Sequence, residues 1–191
     1  MESTQQYSKA DETRLLQLAR QSILHHLETG TPLAVQTALY PKQLQSKRAC
    51  FVTLMLDQQL RGCVGTLEAN QPLVQAVATQ ACNAAFHDVR FAPLTVAELR
   101  HTRLQLSILD TLQPLAISNR ADLLSQLRPG IDGLLIEDNS HHATFLPAVW
   151  QSLPTPEAFF KALLRKANLP EDHWSETLRA FCYTCTCCRE T

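Results

Sequence analysis

Two short stretches carry side chains whose types and spacing could do chemistry. In Leu60-Arg61-Gly62-Cys63-Val64-Gly65-Thr66 a thiol sits between two glycines, two residues after an arginine. Side chains alternate along an extended strand, so Arg61, Cys63 and Gly65 fall on one face and Gly62, Val64 and Thr66 on the other. A guanidinium on the same face favours the thiolate, the form of cysteine that attacks electrophiles. Glycine at position 65 leaves space beside the sulfur for a ligand or a second main chain. The same pattern also suits a buried cysteine acting as a small apolar residue in a central strand.

The second stretch is His87-Asp88-Val89-Arg90-Phe91. An acid and a base two residues apart in a loop either bind one another or face a ligand. Taken together, the two stretches predict a cleft. Cys63 would be its nucleophile or redox thiol. Arg61 and Arg90 would grip a small carboxylate or phosphate, because a guanidinium matches such anions with two prongs. Asp88 would orient an arginine, Thr66 would donate a hydrogen bond, and Gly62 and Gly65 would let the main chain approach. An activated cysteine usually has a histidine partner, and only His87 or His142 would serve, if the fold brought either near.

Four of the seven cysteines crowd the end of the chain: Cys182, Cys185, Cys187 and Cys188. Cys182 and Cys185 have zinc-knuckle spacing, but no second pair of that kind completes a tetrahedral set. Oxidation to dimers through exposed thiols is the other reading. The pairs His25-His26 and His141-His142 lack the i, i+4 spacing of helical metal ligands. No metal site is therefore assigned, and Cys182 and Cys185 stand as the candidate pair. Cofactors are left open.

These residues need elements to position them. An apolar stripe of Leu15, Leu16, Ala19, Ile23, Leu24 and Leu27 predicts a helix over about 11–28, stopped by Gly30 and Pro32. The apolar run 49–56 and the segment 60–67 form a hairpin around Asp57-Gln58-Gln59, although that turn lacks the usual glycine. A second helix spans 72–86, with a small-residue face of Leu73, Val77, Ala81, Ala84 and Ala85. Thr95 and Glu98 have capping-box spacing. Alternation predicts a strand over 102–108. Asn119 or Ser118 caps a short helix ending near Leu127. A second hairpin, 131–137 with 143–146, turns at 138–140. Thr155-Pro156-Glu157 starts a further helix, and 178–184 forms a last strand. Strands arrive as hairpins rather than strand–helix–strand crossovers, so the fold class is α+β with a largely antiparallel sheet packed against helices. Residues 1–10 read as a flexible tail, 11–184 as one domain, and 185–191 as a cysteine-rich tail.

The chain has 191 residues, 45% hydrophobic and 18% charged, with 17 basic against 18 acidic residues and a net charge of −1. A near-neutral balance excludes a highly basic nucleic-acid binder. Four of the five glycines form two pairs of equal spacing, Gly62/Gly65 and Gly130/Gly133. Neither pair holds a basic residue, so neither resembles the nucleotide-clamping loop of a KH domain. No apolar run approaches the ~20 residues that span a bilayer, and the polar start lacks signal-peptide order. Partners among nucleic acids or membranes are not expected, and the expected location is the reducing cytoplasm.

The stretch LRGCVGTLEANQPLVQAVATQACNAAFHDVRFAPLTVAEL resembles the signature of the AMMECR domain family. Arg61, Gly62, Cys63, Gly65 and Thr66 match its first segment. Ala85, Phe86, Asp88, Arg90, Phe91, Pro93 and Leu94 match its second. Leu146, Pro147 and Val149 resemble a later hairpin segment, and Lys166, Ala167, Asn168 and Leu169 a late helix. The resemblance covers roughly 12–184. Val64, Gln58-Gln59, Ala143 and Asn168 depart from the usual pattern, and His87 falls at a variable position.

The resemblance implies a compact α+β fold with a larger and a smaller subdomain. It further implies similarity to the A component of the AmmeMemoRadiSam set, whose companions are a Memo-like protein and a radical S-adenosylmethionine protein. The functional expectation is a small enzyme or enzyme subunit in a redox or modification pathway, whether or not this component is itself catalytic. The alternative is a non-catalytic module that binds a ligand or protein through the same cleft. A purely structural role for Cys63, Asp88 and Arg90 stands as the third reading. Exposure of Cys63 and its distance from Arg90 discriminate among them.

Overall fold

The computed structural model describes residues 7–190. Along the chain lie α1 (Lys9–Thr29), β1 (Cys50–Leu56), β2 (Gln59–Gly65), α2 (Leu73–Phe86), α3 (Val96–Leu99), β3 (Thr102–Leu109), β4 (Gln113–Pro114), α4 (Arg120–Gln126), β5 (Gly133–Asp138), β6 (His141–Phe145), α5 (Pro156–Lys166), β7 (Arg179–Tyr183) and β8 (Cys185–Arg189). Three short 3-10 turns, at Thr37–Leu39, Lys42–Gln45 and Pro147–Gln151, complete the set. The fold is α+β, as the sequence predicts. It divides into a larger unit, which runs to Asp110 and takes in the chain end from Thr186, and a smaller one, Thr111–Cys185.

The larger unit is built on a four-stranded sheet of order β2-β1-β3-β8, with β1 antiparallel to both β2 and β3. Helices α1 and α2 pack together. Their apolar stripes and the inward residues Cys50, Val52, Leu54, Leu104, Leu106 and Ile108 form one core. On α1 the buried stripe differs from the expected one at three residues: Leu24 is 40% exposed, Leu27 is only partly buried, and Leu18 is buried instead. Ser8 caps α1 and Gly30 ends it in the left-handed conformation. Arg20 ties α1 to the rest of the unit, donating to the carbonyls of Leu99 and Thr102 and to the Glu190 carboxylate. Of the expected flexible tail, residues 1–6 lie outside the described residues, whereas Tyr7 is buried and α1 already begins at Lys9.

The segment expected as a cysteine-rich tail, 185–191, takes part in the sheet. Cys185–Arg189 is the edge strand β8, and Cys188 lies 1% exposed in the core. The alternation of strand side chains explains this, since Cys188 points inward and Cys187 outward.

The smaller unit carries the sheet β4-β7-β5-β6, again antiparallel. Phe159, Phe160, Leu163 and Leu164 of α5 are fully buried against it. Trp150 stacks on Phe159 at 3.9 Å between centroids and donates its indole N–H to the Asp132 carbonyl at 2.6 Å. Asp138, 3% exposed, accepts hydrogen bonds from Ser175 and Thr177 and pairs with His173 at 2.6 Å. Those partners pin the segment before β7 onto the β5–β6 hairpin. Asn168 adopts a positive φ of 58° at the end of α5, a conformation asparagine tolerates.

Candidate functional site

Counting outward from the two-residue turn at Asp57-Gln58 would place Cys63 opposite Val52. The observed register pairs Cys63 with Thr53, because the ladder slips between Leu54 and Met55 and leaves Arg61 without a partner on β1. That bulge breaks the alternation that would have put Arg61 beside the thiol. It also keeps Gly62 and Val64 on the core side, opposite Leu54 and Val52.

Gly62 is required by close packing. A Cβ there would run into the Ala84 carbonyl of α2. Gly65 faces the Phe51 ring across the ladder, and a Cβ would collide with that ring and with the Cys50 carbonyl. The space expected beside the sulfur for a ligand is therefore lined by an aromatic ring of the neighbouring strand.

The Arg61 guanidinium reaches the start of α3 instead of the thiol. Its Nε donates to Glu98 Oε1 at 2.8 Å and Nη2 to Oε2 at 3.2 Å and to the Ala92 carbonyl at 2.9 Å. Its Nη1 is buried with no hydrogen-bond partner among the described residues. Glu98 closes the predicted capping box with Thr95 at the same time. The Arg61 guanidinium, helped by the Thr95 amide, holds the Glu98 carboxyl down to about 2.

Asp88 and Arg90 bind one another by a two-pronged bridge, Nε to Oδ1 at 2.9 Å and Nη2 to Oδ2 at 2.6 Å. Asp88 also accepts the Cys63 amide at 2.9 Å, and Arg90 Nη2 donates to the Cys63 carbonyl at 3.3 Å. Strand β2 is a sheet edge, so this side-chain pair occupies the hydrogen-bonding groups that a further strand would otherwise take. The Arg90 guanidinium is the main cause holding the Asp88 carboxyl well below the usual carboxylate range. Both Arg61 and Arg90 lie over the Phe91 ring, at 5.8 and 5.4 Å from its centroid.

Cys63 itself is half-buried. Its sulfur accepts a hydrogen bond from the Thr53 hydroxyl at 3.3 Å. His87 ends α2 as an exposed cap residue, and His142 belongs to the smaller unit. Thr66 donates its amide to the Cys50 carbonyl, and its hydroxyl oxygen accepts the Glu68 amide. The structure thus joins Cys63, Asp88 and Arg90 in one network and Arg61 in a second, linked through Phe91.

Thr53, Glu98 and Phe51 were not among the expected site residues. The capping box located Glu98 on α3, but no local signal pairs it with Arg61, 37 residues away in sequence. Of the candidate metal pair, Cys182 lies on β7, where burial pushes its thiol up, and Cys185 opens β8. Among the described residues no group of three or more Cys, His, Asp or Glu is placed to hold a metal. His26 stacks on Phe86 and His141 bonds to the Ala167 carbonyl. No helix among the described residues is long and apolar enough to cross a membrane.

The family model for AMMECR1 matches residues 16–188, which include every element of this site. A protein of Methanothermobacter thermautotrophicus is 35% identical over 168 residues, covering 85% of each chain. One of Methanocaldococcus jannaschii is 32% identical over 160 residues, covering 80% of this chain and 77% of its own. A crystal structure of an uncharacterized protein from Pyrococcus horikoshii superimposes with a TM-score of 0.85 at 28% identity, covering 91% of this chain and 88% of that one. With the motif residues, the α+β architecture and these matches in agreement, the chain belongs to the AMMECR1 family.

Proposed function

We propose that the chain is a binding component whose contact surface is the outer edge of β2 with the loop 87–92. One observation carries this reading. The charged side chains of the motif are committed to holding main chain in place, while Val89 between them is 99% exposed. A loop clamped at Asp88 and Arg90 loses little entropy when a partner closes over it, which favours recognition. Covering this exposed apolar side chain with a partner removes apolar surface from water, which favours association. The partners implied by the family resemblance are the Memo-like and radical S-adenosylmethionine proteins of the same set. A cytoplasmic location suits seven cysteines of which none is in a disulfide.

The enzyme-subunit reading retains two observations: the hydroxyl of Thr53 on a half-buried sulfur, and the buried Nη1 of Arg61, which lacks an acceptor such as a small anion. Reconstitution of the chain with the two companion proteins separates the readings. On the binding reading, Val89→Glu abolishes co-elution without changing the unfolding midpoint, and Cys63→Ser leaves both assembly and activity intact. Loss of activity in Cys63→Ser with assembly preserved transfers the function to the thiol. Unchanged co-elution of Val89→Glu sinks the binding reading.

A further inference from the structure

Away from the Cys63 motif, the larger unit holds a groove of about 1230 Å³ between α1, the β1–β2 turn, the start of β3 and the end of β8. Its lining carries five basic side chains, Lys9, Arg20, Arg100, Arg103 and Arg189, against three acidic ones, Glu12, Asp57 and Glu190. The wall is therefore net positive in a chain whose net charge is −1. Internal pairing sharpens the imbalance. Lys9 is held by Glu12 at 2.7 Å, and Arg20 by Glu190. Arg100 and Arg189 are exposed and have no carboxylate partner among the described residues. Their backbones are fixed. Arg100 ends α3, and Arg189 precedes Glu190, whose amide and carboxylate both bond to the Leu104 main chain of β3 at 3.0 and 2.8 Å.

We propose that this groove binds an acidic polypeptide segment of a partner in extended form. The chemistry follows from three features. Guanidinium groups match carboxylates with two prongs, and Arg100 at the end of α3 and Arg189 on β8 supply them. The side-chain amides of Gln17, Gln58 and Gln105 line the same surface and can bond to peptide groups. The groove exceeds the roughly 300–1,000 Å³ of ordinary small-molecule sites, and eight charged side chains line it where such sites hold only a few polar groups. A chain laid along it fits these properties better than an engulfed metabolite does. The proposal is independent of the recognition loop at Val89.

The test is fluorescence anisotropy with a labelled oligoglutamate peptide and the full chain. Saturable binding is expected, weakening steeply as salt rises from about 0.05 to about 0.2 M. The double variant Arg100→Glu with Arg189→Glu should lose affinity by about tenfold or more. The control Lys42→Glu with Lys47→Glu changes net charge equally on exposed residues outside the groove and should bind as the parent does. Arg100→Gln with Arg189→Gln repeats the test with a smaller perturbation, should the charge reversals unfold. Val89→Glu should retain peptide binding, which separates this proposal from the recognition loop. Equal loss in the groove and control variants would reduce the effect to bulk charge and overturn the proposal. Inorganic tripolyphosphate binding tightly while the peptide does not would make the groove a phosphate site. Dimerisation abolished by the groove variants would make its occupant a second copy.

Discussion

Asp88 accepts the backbone amide of Cys63 at 2.9 Å across 25 residues of sequence, so a side chain in a loop completes the hydrogen bonding of a sheet edge. Arg90 completes the same closure from the carbonyl side at 3.3 Å. An exposed strand edge invites pairing with other chains. Here a carboxylate and a guanidinium close it at the residue that the motif centres on. The Asp88–Arg90 bridge is thus part of the architecture of β2 and of the rigidity of the loop bearing Val89.

Removing that carboxylate should be costly. Asp88→Ala leaves the Cys63 amide without its acceptor and Arg90 without its bridge. The expected loss is about 2 kcal/mol, the scale of a polar group left unpaired, with the half-exposed Arg90 adding little through charge alone. Urea denaturation at neutral pH measures it. A loss within a few tenths of a kcal/mol would show that water replaces the carboxylate and that the edge closure is ornamental.

Acid should weaken the same links. Asp88 and Glu98 both have folded values below their unfolded ones of about 3.9 and 4.3. A group depressed in the folded state contributes stability that is present above its unfolded value and is lost as pH falls toward its folded one. For Glu98 that window runs from about 4.3 down to about 2. The unfolding midpoint should therefore be flat near pH 6 and fall steeply below about pH 4. Glu98→Gln should flatten part of that slope. A parent and a variant with superimposable acid limbs would show that Arg61 does not stabilise the Glu98 carboxylate.

The turn at Asp57-Gln58 offers a stabilising substitution. Both residues have positive φ, 49° and 64°, as a two-residue hairpin turn of this hand requires. Glutamine has no side-chain device that favours the left-handed region, and glycine enters it without steric cost. Gln58→Gly should raise stability by about 1 kcal/mol, less the added freedom of the unfolded chain. A lower thermal midpoint would show that Gln58 makes contacts worth more than the strain.

Much of the fold was legible because its signals are local. The helix stripes, the capping box at Thr95 and Glu98, the two hairpins and the alternation over β3 all lie within short windows of sequence. What escaped detection depends on distance in sequence. The slip at Arg61 shifts the partner of Cys63 from Val52 to Thr53, and no residue type announces a bulge that exists to seat Gly62 against α2. The link from Arg61 to Glu98 spans 37 residues, and the arginine–thiol proximity read from strand alternation was lost with the bulge. Strand β8 escaped because its alternation of outward and inward thiols looked like a metal-binding or oxidisable tail, whereas cysteine is also an ordinary small core residue.

The seven cysteines give the sharpest check on this packing. Cys187 is exposed, Cys63 half-buried, and Cys50 and Cys188 lie in the core of the larger unit. Burial pushes both core thiols up to about 12. Thiolate is the reacting species, and access to the sulfur limits the rate further. Alkylation by iodoacetamide at pH 8, read peptide by peptide by mass spectrometry, should therefore label Cys187 first and Cys63 more slowly. Cys50 and Cys188 should label only on unfolding. Thr53→Val deletes the hydroxyl on the Cys63 sulfur with little change in volume. If the Thr53 bond holds that sulfur in the strand, the variant should alter the labelling rate of Cys63 alone. Rapid labelling of Cys188 in the native protein would mean that β8 separates from β3 in solution. The groove formed with Arg189 would then be absent for much of the time, and the peptide site built on it would fail together with the edge strand.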